Sequence, residues 1–459
     1  MTSEEFRKAG HEAVDWIADY LRDIRDRPVL PSVQPGEITD RLPKSAPERG
    51  EPMEAILKDF RELIVPGSVQ WNHPRFLAYF ANSASGPGIL GEMLAAALND
   101  NHMLWKTGPA ATELEQVSLS WLRQWLGLPE EFFGIIHDTA STATMHAIIA
   151  ARAAASAEIS SLVLYTSEHA NLSVDRAALA AGVGRGQIHH LPVDDQFRML
   201  PGALSLAIEA DLASGRKPFC VVPTLGTTST ASLDPLPEIA EIARRHGLWL
   251  HVDAAYAGPA AILQEHRSLL QSAELADSLV INPHKWLFVP MDLSILYTRR
   301  PEDFRRALSL QEVPAYLQTA GSGREVNLCE YTVNLGRRFR ALKLWFVLRS
   351  YGREGVENIL RSHIQLAQTF ADHIRSHPDF ELAAPPMFSL VCFRQRGSDE
   401  QNRELLERIN ASGQAFLSGT TLKGRFALRL AIGNIGTSSA DMEDVWRLIS
   451  TGAPLSKSS

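Results

Sequence analysis

Cysteine is scarce in this chain. Cys220, Cys329 and Cys392 are the three in 459 residues, odd in number and far apart. Their spacing matches no metal-binding pattern, so neither a disulfide framework nor a metal site is expected. Long apolar runs are missing too: none approaches the roughly 20 residues needed to cross a bilayer. Met1 to Glu12 is polar and charged, so no secretory signal is expected there. No Lys/Arg-rich block suggests a nucleic-acid partner. With 45 basic against 53 acidic residues the formal net charge is -8, which bears on solubility. The expectation is a soluble cytoplasmic protein with no nucleic-acid, membrane or metal partner.

Hydrophobic residues make up 45% of the chain. That length and content exceed one simple core and suit two or three lobes. Phe6, Val14, Ile17, Tyr20, Leu21 and Ile24 are spaced as one face of a helix. A segment rich in proline and charge follows, Arg27 to Pro52, which reads as irregular, and then a second helix over Met53 to Leu63. These elements are thin, so residues 1–85 are expected to pack on a partner subunit. From about 86 the pattern alternates. Strands are expected at Phe133 to His137, Ser161 to Tyr165, Phe219 to Pro223, Trp249 to Val252, Ser278 to Ile281 and Leu293 to Tyr297. Helices are expected at Ser141 to Ala155, Leu204 to Leu212 and Leu236 to His246. Such alternation implies an α/β fold with a mostly parallel sheet, whose ligands sit beyond the carboxyl ends of the strands. Long helices are expected over Leu335 to Tyr351 and Glu354 to Ile374. A small α+β lobe then holds strands Ser389 to Phe393 and Phe426 to Ile432 and helices Asn402 to Ile409 and Asp441 to Ile449. The expected domains are 1–85, 86–352 and 353–459.

The chemistry is concentrated at the expected strand ends. Asn282-Pro283-His284-Lys285-Trp286 follows the apolar run Ser278 to Ile281. A lysine withdrawn from water there is more readily neutral, and a neutral amine can form a Schiff base with an aldehyde such as pyridoxal phosphate (PLP). Asp253 ends the preceding strand and is followed by small residues, Ala254 and Ala255, which leave space for a ring. A carboxylate there would keep a pyridine nitrogen protonated. Read singly, Lys285 is better taken as a cap of its strand end, and a lone Asp253 commonly caps the next turn. Asp138-Thr139-Ala140-Ser141 joins a strand to an alanine-rich helix, an arrangement that offers hydroxyls and free N–H groups to an anion or serves as a plain N-cap. His284 could supply a further phosphate contact, and Thr228 is another hydroxyl at a strand end. Tyr316 lies in the polar stretch Gln311 to Arg324, which could close over the site and deliver a proton.

With these motifs in place, the chain resembles the group II PLP-dependent amino-acid decarboxylases, in particular the aromatic-L-amino-acid decarboxylase family, from about residue 4 to 450. The resemblance rests on His251-Val252-Asp253-Ala254-Ala255-Tyr256-Ala257-Gly258, on Asn282 to Trp286, and on Leu335-Gly336-Arg337-Arg338-Phe339-Arg340. It implies a fold type I PLP enzyme, a homodimer whose N-terminal helices wrap the partner and whose active sites lie at the interface. Lys285 would carry the cofactor and Asp253 would face its pyridine nitrogen. Ala140, Ser141, Asn282 and His284 would surround the phosphate, Ala255 would lie against the ring, and Thr228 would contact cofactor or substrate. Trp71, Tyr79 and Phe80 resemble the family's aromatic substrate pocket, with Asn82 and Met103 at variable pocket positions. Gly336 stands where a small residue leaves room for a phenyl or indole group. Tyr316 matches the loop tyrosine that returns a proton after CO2 leaves. The implied reaction turns an aromatic L-amino acid (dopa, tyrosine, phenylalanine or tryptophan class) into the arylalkylamine and CO2.

One position departs from that pattern. In Ser167-Glu168-His169-Ala170-Asn171-Leu172-Ser173 the family's decarboxylases usually carry histidine where this chain has Asn171. Histidine stacks and titrates near neutral pH, whereas an asparagine amide hydrogen-bonds without titrating. Asparagine here resembles the family's insect aromatic aldehyde synthases, which use oxygen to form the aldehyde, ammonia, hydrogen peroxide and CO2. His169 is an alternative donor, since residues two apart share a face of an extended chain. Transamination is a further alternative. It would need an arginine for the substrate carboxylate, and Arg429 is the candidate.

Overall fold

A computed structural model describes residues 1–309 and 325–452. They divide into two units. The first comprises residues 1–81, 369–383 and 392–459, and the second residues 82–368 and 384–391. Most of the expected N-terminal segment and most of the expected C-terminal lobe thus fall into one unit.

The second unit is built on a seven-stranded sheet. Its strands are β1 (Phe133–His137), β2 (Leu162–Ser167), β3 (Ile188–Leu191), β4 (Lys217–Val222), β5 (Trp249–Asp253), β6 (Ser278–Ile281) and β7 (Ser294–Thr298), in the order β1-β7-β6-β5-β4-β2-β3. β7 runs antiparallel to β1 and β6, and the other pairings are parallel. The strands are almost wholly buried, because helices cover a parallel sheet on both faces. On one face the helix Ala140–Ala155 buries Ala143, Ala147, Ile148, Ala150 and Ala151 in a core with Ile135, Leu164, Val222 and Val280. Its alanines allow close approach to the sheet. Since β1, β2, β4, β5 and β6 share one direction, their carboxyl ends open on one edge. Every cofactor candidate follows one of those ends.

The first unit holds the helix Ser3–Arg22, started by a Thr2/Glu5 capping box, and the helices Asp399–Ala411 and Ser439–Thr451. Its sheet has the order β10-β11-β9-β8, formed by β8 (Phe380–Leu382), β9 (Leu390–Gln395), β10 (Ser418–Leu422) and β11 (Arg425–Ala431). β10 pairs antiparallel with β11, and β8 with β9. Among the described residues no helix is long and apolar enough to cross a membrane.

Four expectations differ. The segment 27–52 contains a short helix, Glu37–Arg41. The helix over Met53–Asp59 widens into a π turn at Phe60–Ile64. The helix expected from Leu335 begins at Ala341, because the backbone before it is drawn elsewhere. Arg337 N–H donates to Asn101 Oδ1 at 2.9 Å, and the Arg337 guanidinium reaches Glu115 Oε1 at 2.7 Å. From Ala341 the helix continues to Ser376, broken only where Gly352 takes φ 60°. β3, β8 and β10 were not expected: they are short, and their apolar residues do not form runs.

Candidate active site

Lys285 sits on the single turn Pro283–Trp286 that follows β6, and its own N–H donates to the Asn282 carbonyl at 2.9 Å. The lysine is partly buried, while Asn282, Pro283, His284 and Trp286 around it are fully buried. Asp253, at the end of the neighbouring β5, is 5% exposed and opposes Val280 of β6. Burial pushes its carboxyl above the usual carboxylate range, and the Lys285 charge and the Ala255 N–H (3.0 Å to Oδ1) pull it back. Asn282 N–H donates to the Ala255 carbonyl at 3.1 Å, which ties the two motifs together. Gly258 is required by the same junction: a Cβ there would meet Ile281 Cγ1 at 2.9 Å.

The polar side chains beyond β6 are oriented by hydrogen bonds. Leu293 N–H donates to His284 Nδ1 at 3.0 Å, so the ring's proton lies on Nε2. Burial first, then the Lys285 charge, drives the His284 pKa down to about 3, so the imidazole is neutral. Ser294 Oγ–H donates to Asn282 Oδ1 at 2.7 Å, which makes the other end of that amide a donor. After β1, the helix Ala140–Ala155 starts at Thr139 with no side-chain cap bond. Its first N–H groups, including those of Ala140 and Ser141, have no intrahelical acceptor.

Asn171 and Thr228 meet. Asn171 Nδ2 donates to Thr228 Oγ1 at 2.9 Å, and Ser173 N–H donates to Asn171 Oδ1 at 2.9 Å. Both ends of the amide are thereby engaged. His169 does not share a face with Asn171, because Ala170 N–H bonds back to the Ser167 carbonyl at 3.0 Å and closes a turn. Its ring packs edge-on against Phe197 at 5.3 Å, and burial lowers its pKa. The extended geometry behind that expectation is absent.

The remaining pocket candidates lie in both units. Trp71, Tyr79 and Phe80 belong to the first, where Trp71 stacks on Tyr79 with centroids 6.1 Å apart. Asn82, Met103 and Gly336 belong to the second. There Asn82 Nδ2 contacts Met291 Sδ at 3.4 Å, and the Met103 carbonyl accepts Cys329 N–H at 3.2 Å. A Cβ on Gly336 would meet nothing closer than the Asn101 amide at 3.8 Å, so the space there is genuine. Tyr316 and the stretch Gln311 to Arg324 lie outside the described residues.

Two residues have supporting roles that the sequence did not disclose. Asp234 accepts Met199 N–H and Thr224 N–H, each at 2.7 Å, and braces the loop from β4 toward Thr228. Burial raises its pKa to about 6. His251 bonds to Ser278 at 2.8 Å and Thr144 at 3.2 Å, linking β5, β6 and the Ala140–Ala155 helix. A histidine inside an apolar strand was the available signal for the second. Nothing local marked the first.

This donor set fits PLP. Uncapped N–H groups, the His284 Nε2–H and the Asn282 amide suit a phosphate; Asp253 suits a pyridinium nitrogen; Lys285 supplies the amine. A model of the pyridoxal-dependent decarboxylase conserved domain matches residues 35–396. The chain is 42% identical to the aromatic-L-amino-acid decarboxylase of Mus musculus, over 98% of each. It superposes on the crystal structure of Oryza sativa TDC with PLP and tryptamine at TM-score 0.95 and 36% identity, covering 98% of this chain and 97% of that one. Rhodiola rosea 4-hydroxyphenylacetaldehyde synthase matches at TM-score 0.92 and 35% identity, over 98% of each. A family match over most of the length, on a fold type I sheet whose strand ends carry groups that suit the cofactor, leaves one assignment: the chain belongs to the pyridoxal-dependent decarboxylases and is a PLP-dependent carboxy-lyase.

Proposed function

We propose that this enzyme removes the α-carboxylate of an aromatic L-amino acid and releases the arylalkylamine and CO2. The observation that carries the aromatic class is Trp71 stacked on Tyr79, with both rings open to solvent, 37% and 53% exposed. Exposed, stacked aromatic faces suit a phenyl or indole group. Relatives named for aromatic amino acids support the same class.

Each candidate residue has a role in this reading. Lys285 Nζ would hold the cofactor through its aldehyde carbon. Ala140 and Ser141 N–H groups, the Asn282 amide and His284 Nε2–H bind the phosphate, and Ala255 supports the ring face. When bound, PLP supplies a conjugated ring that accepts the electron pair left as CO2 departs. Asp253 keeps a proton on the pyridine nitrogen, a task that needs its carboxylate ionised. Thr228 and Asn171 orient the reacting face. Asn82, Met103 and Gly336 shape the pocket, and Tyr316 returns a proton to the α-carbon. We also propose the homodimer. Leu90, Met93, Leu94 and Leu98 form an exposed apolar stripe on the helix Gly86–Leu98, which suits burial against a second copy. A monomer in sedimentation at micromolar concentration would overturn it.

A second reading is favoured by Asn171. Its amide is engaged at both ends and does not titrate, so that position offers no proton. If protonation of the α-carbon is slow, oxygen can intervene: amino acid, O2 and water give aldehyde, CO2, ammonia and hydrogen peroxide. The experiment is aerobic turnover of dopa, tyrosine, phenylalanine and tryptophan with CO2, amine, aldehyde and peroxide quantified together. Amine equal to CO2 supports decarboxylation. Aldehyde and peroxide equal to CO2 replace it with the oxidative reading. No CO2 from any of the four sinks the aromatic assignment.

A further inference from the structure

We infer that Arg429 is a positioning residue that sets selectivity for an aromatic side chain, by clamping Tyr79 and Phe80 from behind. This rests on the proposal that these residues receive the substrate's ring.

The segment carrying them is laid along the sheet of the first unit. Leu77 N–H donates to the Phe416 carbonyl at 2.8 Å, and Ala431 N–H donates to the Leu77 carbonyl at 2.9 Å. Two residues later the chain turns, and Tyr79 takes φ 53°. A side-chain-bearing residue holds that left-handed conformation only where its surroundings impose it. Here both flanking peptide groups are held by one cross-strand pair. Ser418 of β10 faces Arg429 of β11 directly. Tyr79 N–H donates to Ser418 Oγ at 3.4 Å, and Arg429 Nη1–H donates to the Tyr79 carbonyl. The same guanidinium lies over the Phe80 ring, 4.4 Å from Cζ to centroid. One buried cation, 3% exposed, therefore fixes the backbone of one aromatic residue and the ring of the next. The Tyr79 ring stacks on Trp71 and meets Phe416 edge-on at 5.9 Å, so the order imposed on its backbone passes to the exposed face.

This geometry gives Arg429 a different task from the substrate-carboxylate contact that transamination would require, since Nη1 is committed to a main-chain carbonyl. The two roles separate kinetically. A residue that shapes the aromatic wall acts on binding, so its loss raises KM more than it lowers kcat. It also acts through Tyr79, so its effect vanishes when Tyr79 is gone.

The test uses the PLP-loaded enzyme with Arg429→Met, Arg429→Lys, Tyr79→Gly and the Arg429→Met/Tyr79→Gly double variant, each assayed for kcat and KM on the preferred aromatic amino acid. Cofactor absorbance and melting temperature are followed in parallel. Glycine at position 79 adopts the left-handed conformation freely and carries no ring. Arg429→Met is expected to raise KM by about ten-fold or more, with kcat within about three-fold and yellow cofactor absorbance intact. In the Tyr79→Gly background the same change should add less than about two-fold. Arg429→Lys, which donates to a carbonyl but does not span the Phe80 face, should fall between. Fully additive losses, or a fall in kcat without a rise in KM, would overturn the inference. Should Arg429→Met not fold, Arg429→Lys decides, and an unchanged KM there overturns it. If the wild-type enzyme turns over no aromatic amino acid, the parent reading has failed instead.

Discussion

In the candidate cofactor site, Asp253 ends β5 and Lys285 lies on the turn after the adjacent parallel β6, and each has a backbone hydrogen bond to a residue within a few positions of its own. In the aromatic cluster, Tyr79 is held by Arg429 from 350 positions away and by Ser418 from 339. The cofactor site is buried and assembled from local turns on a rigid sheet. The cluster is exposed, and one of its members has a strained backbone that distant side chains hold in place. The proposed cofactor site therefore rests on short-range geometry, while the surface proposed to receive the substrate's ring rests on long-range contacts. Small changes in packing can retune the second without touching the first.

The comparison can be broken at several points. The largest effect is expected from Lys285→Ala, which removes the amine proposed to hold the cofactor. Turnover should fall by about 10^3-fold or more, with the yellow absorbance lost; normal rates would end the assignment of Lys285. Asp253→Asn should lower kcat by about 10^2- to 10^3-fold, because a neutral amide does not hold a proton on the pyridine nitrogen. Stability should be kept or gained, since the buried charge and its desolvation cost are removed. Thermal melting checks the second half of that statement, and a large drop would make Asp253 structural.

Acid separates the units next. His73 in the first unit is held near pKa 4 by burial, while His251 and His284 in the second are held near 3, burial again being the main cause. Each folded value lies below the ordinary 6.5. The stabilisation is therefore fully present above that pH and is lost as pH falls toward the folded values. Each such histidine should cost about 1.4 kcal/mol per pH unit below 6.5. Hydrogen exchange between neutral pH and about pH 6, above the range in which the raised Asp234 carboxyl takes up its proton and offsets one histidine, should show the second unit losing protection more steeply than the first. Equal slopes would refute this. The smallest effect is expected from Ser418→Ala, which removes one support of Tyr79. KM for the aromatic substrate should rise about two- to five-fold with kcat unchanged. A rise equal to that of Arg429→Met would shift the clamp from the guanidinium to the hydroxyl.

Much of the second unit was legible beforehand. β1, β6 and the helix Leu236–His246 fall on their expected bounds, because apolar runs between turn residues leave few alternatives. β3, Ile188–Leu191, carries two histidines and gave no such signal. His169 does not stand in for Asn171 on a shared face, because a period of two holds only in extended chain, and residues 167–170 form a turn. The helix at Ala341 starts late because Arg337 is drawn to Asn101 and Glu115, contacts more than 200 positions away in the chain. Asp234 gave no sign of its role, since its two N–H donors, Met199 and Thr224, come from different segments.

Family and cofactor were legible in the sequence itself, because long contiguous motifs carry the resemblance, and Lys285 and Asp253 stood out as the candidate reacting pair because both stand at the ends of apolar runs that pattern as strands. Only the tertiary structure decided that Asn171 is engaged at both ends of its amide, that His169 turns away toward Phe197, and that Arg429 faces Tyr79 and Phe80. Hydrogen bonds and a left-handed backbone of this kind take their energy from partners brought together by folding, and no spacing along the chain encodes them.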